Sequence, residues 1–328
     1  MKQIIGTLCI LTITINTLFG QLEVPYKENE IPIHSVKKIT GYFGERIDAN
    51  REGSIKGFDI DKYIAMVEIK KHKDWWWIGE QPGKWLESAV LSSAQSNDTT
   101  LLIKAKKILE RLEKAQEPSG YLGITDPSIR TPQQPLRGMD AYELYFMLHG
   151  LITASQQWND PQALETAKRL ANYLINHINE GKAEFWPTNL RNPENFHVIP
   201  KGHSEIAGHS VHCGLEGTLL IDPVLRLYQI SGEKQYLDWG KWIVKNIDKW
   251  SGWNTYSRLD SVASLKMTID QVQPFMHSHT FQMNFLGFLR LYQITGDESV
   301  LRKVKGAWDD VYKRQSYITG GVSVGEHY

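Results

Sequence analysis

The chain has 328 residues, enough for a full hydrophobic core in one or two domains. Lysine plus arginine and aspartate plus glutamate both number 37, so no net field steers a polyanion toward it. No run of five like charges supplies such a field locally, which argues against nucleic acid as a partner.

At the N-terminus, Lys2 precedes an apolar run from Ile4 to Phe19, and the small Gly20 precedes the polar stretch that follows. That pattern predicts a signal peptide over 1–20, because the run is too short and too threonine-rich for a comfortable membrane span. The mature chain is therefore expected to be secreted or periplasmic, with no membrane partner. Cys9 falls inside the leader, leaving Cys213 as the only thiol of the mature chain. It can form no intramolecular disulfide and no cysteine-rich metal site, and it is expected to be a small buried residue.

Residues 21–82 are expected to form an irregular segment packed on the body. Within it, Trp75-Trp76-Trp77 offers either a wall on which sugar rings stack or a core plug, since indole suits both. From residue 83 onward apolar residues recur at helical spacing, as in Ala163, Ala167, Leu170, Leu174 and Ile178, and in Val300, Val304, Trp308 and Val311. Helix pairs are predicted over 84–116, broken at Asn97-Asp98, and over 140–179, where Asp160 before Pro161 is a start signal. In a third pair, Asp222-Pro223 implies a kink or a late start. The segment Leu225-Arg226-Leu227-Tyr228-Gln229-Ile230-Ser231-Gly232-Glu233 recurs 64 residues later as Leu289-Arg290-Leu291-Tyr292-Gln293-Ile294-Thr295-Gly296-Asp297. Each copy ends a helix at a glycine suited to a left-handed cap and opens the next with an acid.

The predicted fold is thus all-α, built from stacked helical hairpins that hide their apolar faces against one another. Such hairpins form either an open solenoid or a closed toroid. Long connections at 117–139, 180–208 and 250–276, rich in Pro, Gly, Trp and His, favour a toroid with a functional mouth.

Candidate chemistry concentrates near those connections. Glu326 lies in Gly320-Gly321-Val322-Ser323-Val324-Gly325-Glu326-His327-Tyr328, where glycines permit tight turns and apolar neighbours would raise a carboxyl pKa as a general acid requires. A solvated glutamate near a chain end is the plain alternative. Histidines group as His203, His209 and His212, as His277 and His279, and as His149 alone on an apolar helix. Neutral imidazole offers one donor and one acceptor to a sugar hydroxyl; the same spacing suits a metal or a structural hydrogen bond.

Several of these segments resemble the β-L-arabinofuranosidase family, glycoside hydrolase family 127. They are Gly41-Tyr42-Phe43 with Arg46 and Asn50-Arg51, Lys84-Trp85-Leu86-Glu87, Ala115-Gln116-Glu117-Pro118-Ser119-Gly120-Tyr121-Leu122, Glu143-Leu144-Tyr145 with His149, and Trp308-Asp309-Asp310 leading to Gly325-Glu326-His327. The resemblance implies an (α/α)6 toroid, of which about four hairpins lie in 83–328 as a partial catalytic domain. It implies a secreted enzyme that releases a terminal L-arabinofuranose-like sugar from plant or host oligosaccharide or polysaccharide with retention, Glu326 being the acid. His149, His212, His277 and His279 match positions near that family's sugar pocket, while Trp76 is a candidate sugar contact on the stacking capacity of its indole.

The family resemblance also implies a zinc-held cysteine nucleophile, with a Glu-x-Cys pair and a further cysteine as ligands. Those residues are absent from this chain, so no metal ligand is assigned, and the chain is expected to be an incomplete part of a longer enzyme, inactive alone. The alternatives are another six-hairpin glycosidase or polysaccharide lyase working with two carboxylates, and a non-catalytic secreted sugar-binding helical-repeat protein.

Overall fold

Every predicted hairpin turns on the same two-residue device, a left-handed residue followed by an acid. A computed structural model describes residues 32–36, 38–73, 78–133, 135–136, 139–180, 182, 217–251, 254–273, 277–323 and 328. Helices α3 (Gln81–Ser96) and α4 (Thr99–Ala115) meet at Asn97, α5 (Asp140–Trp158) and α6 (Pro161–His177) at Asn159. Helices α7 (Ile221–Ser231) and α8 (Lys234–Ser251) meet at Gly232, and α10 (Ser278–Thr295) and α11 (Glu298–Asp310) at Gly296. The four turn residues have φ of 57°, 51°, 71° and 69°, a region open to glycine and next most readily to asparagine. The following acids then cap: Asp98 accepts from the Leu101 amide, Asp160 from Gln162 and Ala163, and Asp297 from Ser299. Helix α7 starts late, after a 3-10 turn at Thr218–Leu220, which places Pro223 in its first turn, where a missing N–H is tolerated.

The first helices of the hairpins, α3, α5, α7 and α10, lie side by side in that order and run parallel. Helix α5 is buried on nearly all sides, through Leu144, Leu148, Leu151 and Ile152 among others. The second helices bury one stripe only, as α6 does with Ala163, Ala167, Leu170 and Leu174. Glycine permits the α3–α5 contact: a Cβ on Gly83 would stand 2.2 Å from the Phe146 carbonyl carbon, and one on Gly150 2.8 Å from the Gly83 oxygen.

Three expectations need correction. The segment before residue 83 is helical where described, with α1 (Gly41–Ala49), a π-helical stretch at Asn50–Ile55 and α2 (Ile60–Ile69). Ile60, Ile64 and Val67 form a short helical stripe that α2 buries against α3 and α4. The connection over 250–276 contains α9 (Thr255–Ala263), which buries Leu259 and Val262 and packs on α11. Val300 of α11 and Val311 just beyond its end reach the core, but Val304 is half-buried and Trp308 is 68% exposed. No described helix is long and apolar enough to cross a membrane.

Candidate active site

Because the first helices are parallel, their N-terminal ends gather at one end of the array, where the long connections attach. Lys84 of α3 sets its ammonium 4.3 Å from the Phe146 ring centre and 5.3 Å from that of Tyr142, both on α5. Its Nζ is 3.4 Å from the Tyr142 hydroxyl and 3.8 Å from Glu80. Burial lowers the Lys84 pKa, partly offset by Glu80. The Tyr142 ring stands 6.4 Å edge-on from the exposed His279 ring of α10, which is 5.9 Å from His277. Aromatic faces, one cation and imidazole edges together suit a polyhydroxylated ring.

His277 is buried and caps α10: its Nδ1 accepts from the Thr280 amide at 3.1 Å and lies 2.7 Å from the Thr280 hydroxyl. Tyr328 is anchored on the same helix, accepting from Gln282 at 2.8 Å with its ring edge-on to Phe281; burial pushes its phenol up to about 12. Beyond His279, the exposed flank of α10 and α11 forms an apolar groove of about 840 Å³ with Leu286, Leu289, Trp308, Tyr312 and Ile318 on its walls.

Two acids that could have faced Glu326 have other duties. Asp140 accepts from the Tyr121 hydroxyl at 2.6 Å and the Thr125 hydroxyl at 2.9 Å, all inside the core. Glu143 accepts from the Ile78 and Gly79 amides at 2.9 and 2.7 Å, clasping the backbone just before α3. Burial raises the Glu143 carboxyl to about 8, with Asp140 adding to the shift and the two amides opposing it.

Deeper along the helices lies a polar belt that hydrophobic spacing does not disclose. Glu87, His149, Asp222 and Leu286 each stand ten residues before the left-handed residue of their hairpin, Asn97, Asn159, Gly232 and Gly296. His149 Nε2 is 2.9 Å from Asp222 Oδ2, and Glu87 lies 3.8 Å from Nδ1 on the other side. The repeated arginines reach back one helix each. Arg226 meets Gln156 and Thr153 of α5, and Arg290 meets Asp222 at 2.6 Å and Gln229 of α7 at 2.7 Å. Burial would raise the Asp222 carboxyl, but contacts with His149 and Arg290 outweigh it and hold the group at about 2.

The structure therefore brings His277 and His279 together at the mouth and sets His149 below them in the belt. Glu326, His212 and Trp76 lie outside the described residues, as does Cys213. Among the described residues no group of three or more His, Cys, Asp or Glu is arranged to hold a metal. The chain's two cysteines, Cys9 and Cys213, do not make the donor set a zinc-held thiolate requires. Lys84, Tyr142, Asp222 and the two arginines had no chemical role in the sequence reading. The 64-residue repeat was the signal that could have paired Arg226 with Arg290.

An arc of parallel inner helices with its polar, aromatic mouth at their N-termini is the architecture of toroidal glycoside hydrolases. The sequence model of the family described as beta-L-arabinofuranosidase, GH127 catalytic domain, matches residues 28–193 and 198–328. The chain belongs to that family. A non-reducing end beta-L-arabinofuranosidase of Bifidobacterium longum subsp. longum is 24% identical over 281 residues, covering 75% of this chain and 37% of the relative. Two solved structures share the fold. One, a GH127 beta-arabinofuranosidase, has a TM-score of 0.59 and 22% identity over 90% of this chain and 45% of its own. The other, a GH127 beta-L-arabinofuranosidase from Geobacillus stearothermophilus T6, has a TM-score of 0.58 and 19% identity over 89% and 47%. The chain thus spans less than half the length of the relatives it matches.

Proposed function

We propose that these residues form the sugar-binding and acid-bearing part of a secreted, retaining glycoside hydrolase that removes a terminal L-arabinofuranosyl unit from an oligosaccharide or polysaccharide. The observation that carries the reading is the family match joined to a mouth of matching chemistry, Lys84, Tyr142, Phe146 and His279 around the N-termini of parallel helices. Glu326 is the acid that protonates the leaving oxygen. Its support is sequence position: it stands two residues before Tyr328, which is anchored on α10 beside His279. His212 is a proposed sugar contact on the resemblance, and Trp76 on the stacking capacity of its indole. The leader over 1–20 would export the chain.

A two-carboxylate lyase or inverting glycosidase is disfavoured, because Asp140 and Glu143 are committed to holding loops.

The test is titration of the chain with methyl β-L-arabinofuranoside, followed by tyrosine and tryptophan fluorescence, with a β-D-xyloside as control. Saturable binding that prefers the arabinofuranoside is expected; absence of saturable binding by any arabinofuranoside would overturn the assignment. In the full-length enzyme, Glu326→Gln should abolish turnover of substrates with poor leaving groups. Retained turnover would remove Glu326 from the acid role.

A further inference from the structure

The inner helices are linked by a device that repeats at fixed distances from each hairpin turn. On α7, Arg226 stands six residues before Gly232 and donates through Nε to Gln156 Oε1 at 3.1 Å; Gln156 stands three before Asn159, the turn of the preceding hairpin. On α10, Arg290 stands six before Gly296 and donates to Gln229 Oε1 at 2.7 Å, and Gln229 stands three before Gly232. Even on α5 the residue six before the turn reaches back, Thr153 donating to Glu87 of α3 at 3.0 Å. Both arginines lie largely covered, so their bonds form away from bulk water, where a charged donor binds a neutral acceptor more strongly.

The next acceptor in the series is Gln293. It stands three residues before Gly296, half-buried on α10, and among the described residues its side chain makes no hydrogen bond. By helical spacing it continues the stripe of Gln282, Leu286 and Leu289, which line the apolar groove together with Trp308 and Ile318. An amide at the end of an apolar stripe fixes the register of a helix that covers the stripe, because a slip of one turn strands the paired donor. We propose that this flank seats a further helical hairpin of a longer polypeptide, its first helix parallel to α10 and carrying, six residues before its own turn, an arginine that donates to Gln293. With Leu286 in the place Asp222 holds one helix earlier, the seat asks for an apolar residue at that level. The matched relatives hold more than half of their length outside the span shared with this chain, which leaves room for such a hairpin. A second copy stacked through its leading hairpin does not supply the device: α3 carries Leu91 six residues before Asn97, where the arginine is needed. Which sugar the mouth binds has no bearing on this seat.

The test uses the full-length polypeptide, with photoreactive p-benzoylphenylalanine placed at Gln293 in one sample and at Trp308 in another, the latter exchanging one large aromatic side chain for another. After irradiation, peptide mass spectrometry should map the adduct from position 293 to the last two turns of a helix that follows Tyr328 in sequence. The adduct from position 308 should map to the helix paired with it. Both should be intramolecular, with yields unchanged on dilution, and the mapped first helix should carry arginine six residues before its turn. Gln293→Leu and exchange of that arginine for leucine should each lower the melting temperature, and the two together no more than either alone, since both remove one hydrogen bond. Adducts to a second copy, adducts within this chain, or no adduct at either site overturn the proposal. So does a mapped helix with no hydrogen-bond donor at that place, or melting losses that simply add.

Discussion

Glu143 is the buried group whose protonation should govern the pH response of the fold. Its carboxyl is raised from 4.5 to about 8, so between those values the folded chain keeps a proton that the unfolded chain has released. Stability contributed by that proton is fully present below pH 4.5, declines as pH rises and is lost by about pH 8. At about 1.4 kcal/mol per unit, the decline amounts to about 3 kcal/mol at pH 7 and about 5 kcal/mol at pH 8. Glu143→Gln keeps an oxygen acceptor for the Ile78 and Gly79 amides but cannot ionise. The difference in unfolding free energy between the variant and the wild type should therefore shift in favour of glutamine by about 1.4 kcal/mol per pH unit between pH 5 and 8. Urea unfolding followed by far-ultraviolet circular dichroism at pH 5, 6, 7 and 8 measures it. Taking the difference cancels the titrating groups that do not interact with Glu143, and Asp140, the main charge beside it, is ionised throughout that range in the unfolded chain. A difference that stays flat across that range would refute the reasoning. Glu143→Ala separates the two duties, because it strands both amides and should cost about 2–4 kcal/mol even at pH 5.

Gly83→Ala places a methyl group 2.2 Å from the Phe146 carbonyl carbon, where backbone cannot yield cheaply. It should lower stability by about 1–3 kcal/mol or more, and an unchanged melting temperature would deny the close α3–α5 crossing. Asp222 behaves oppositely to Glu143: held at about 2 against an ordinary 3.8, it contributes about 2 kcal/mol above pH 4, lost as pH falls toward 2. Acid unfolding of Asp222→Asn should lack that component; an acid transition identical to wild type would contradict it. Leu286, Trp308 and Ile318 are 50%, 68% and 106% exposed on one apolar groove, which predicts self-association of this chain. Leu286→Gln with Ile318→Ser should raise the monomer fraction in sedimentation, and a wild-type chain already monomeric at high concentration would count against the groove as a sticky face.

The hairpins were legible because turn chemistry is local. Gly232-Glu233 and Gly296-Asp297 announce themselves as glycine and acid, and Asn97-Asp98 and Asn159-Asp160 carry the same instruction in a second residue type. Helix α2 was missed because its stripe, Ile60, Ile64 and Val67, is only two turns long and lies among charges. Trp308 was read as core because periodicity reports which residues share a face, not what covers that face. The mouth was half legible. His277 and His279 are close in sequence and flank the same helix start, whereas Lys84 and Tyr142 meet across two helices separated by 58 positions.

The belt shows why the rest was hidden. Helical repeats preserve geometry, so the position ten residues before each turn faces its counterpart on the neighbouring helix whatever residue occupies it. Glu87, His149, Asp222 and Leu286 are four different residues, so comparing the repeats by identity makes that position look unrelated. Contact restores the relation: an imidazole between two carboxylates, with Arg226 and Arg290 reaching back from the following helices. The arginines are the part that repeats, because each closes the rung behind it. The variable position is the part that differs, because each rung asks its residue for something else. The series turns apolar at Leu286, half exposed on the groove wall, and there no later arginine of the described residues reaches back across it. Among the described residues, the polar contacts at this level run from α3 to α10, beneath the mouth formed by Lys84, Tyr142 and His279. The belt thus ties α3, α5, α7 and α10 to one another one level below that mouth, each charged side chain reaching a neighbouring helix.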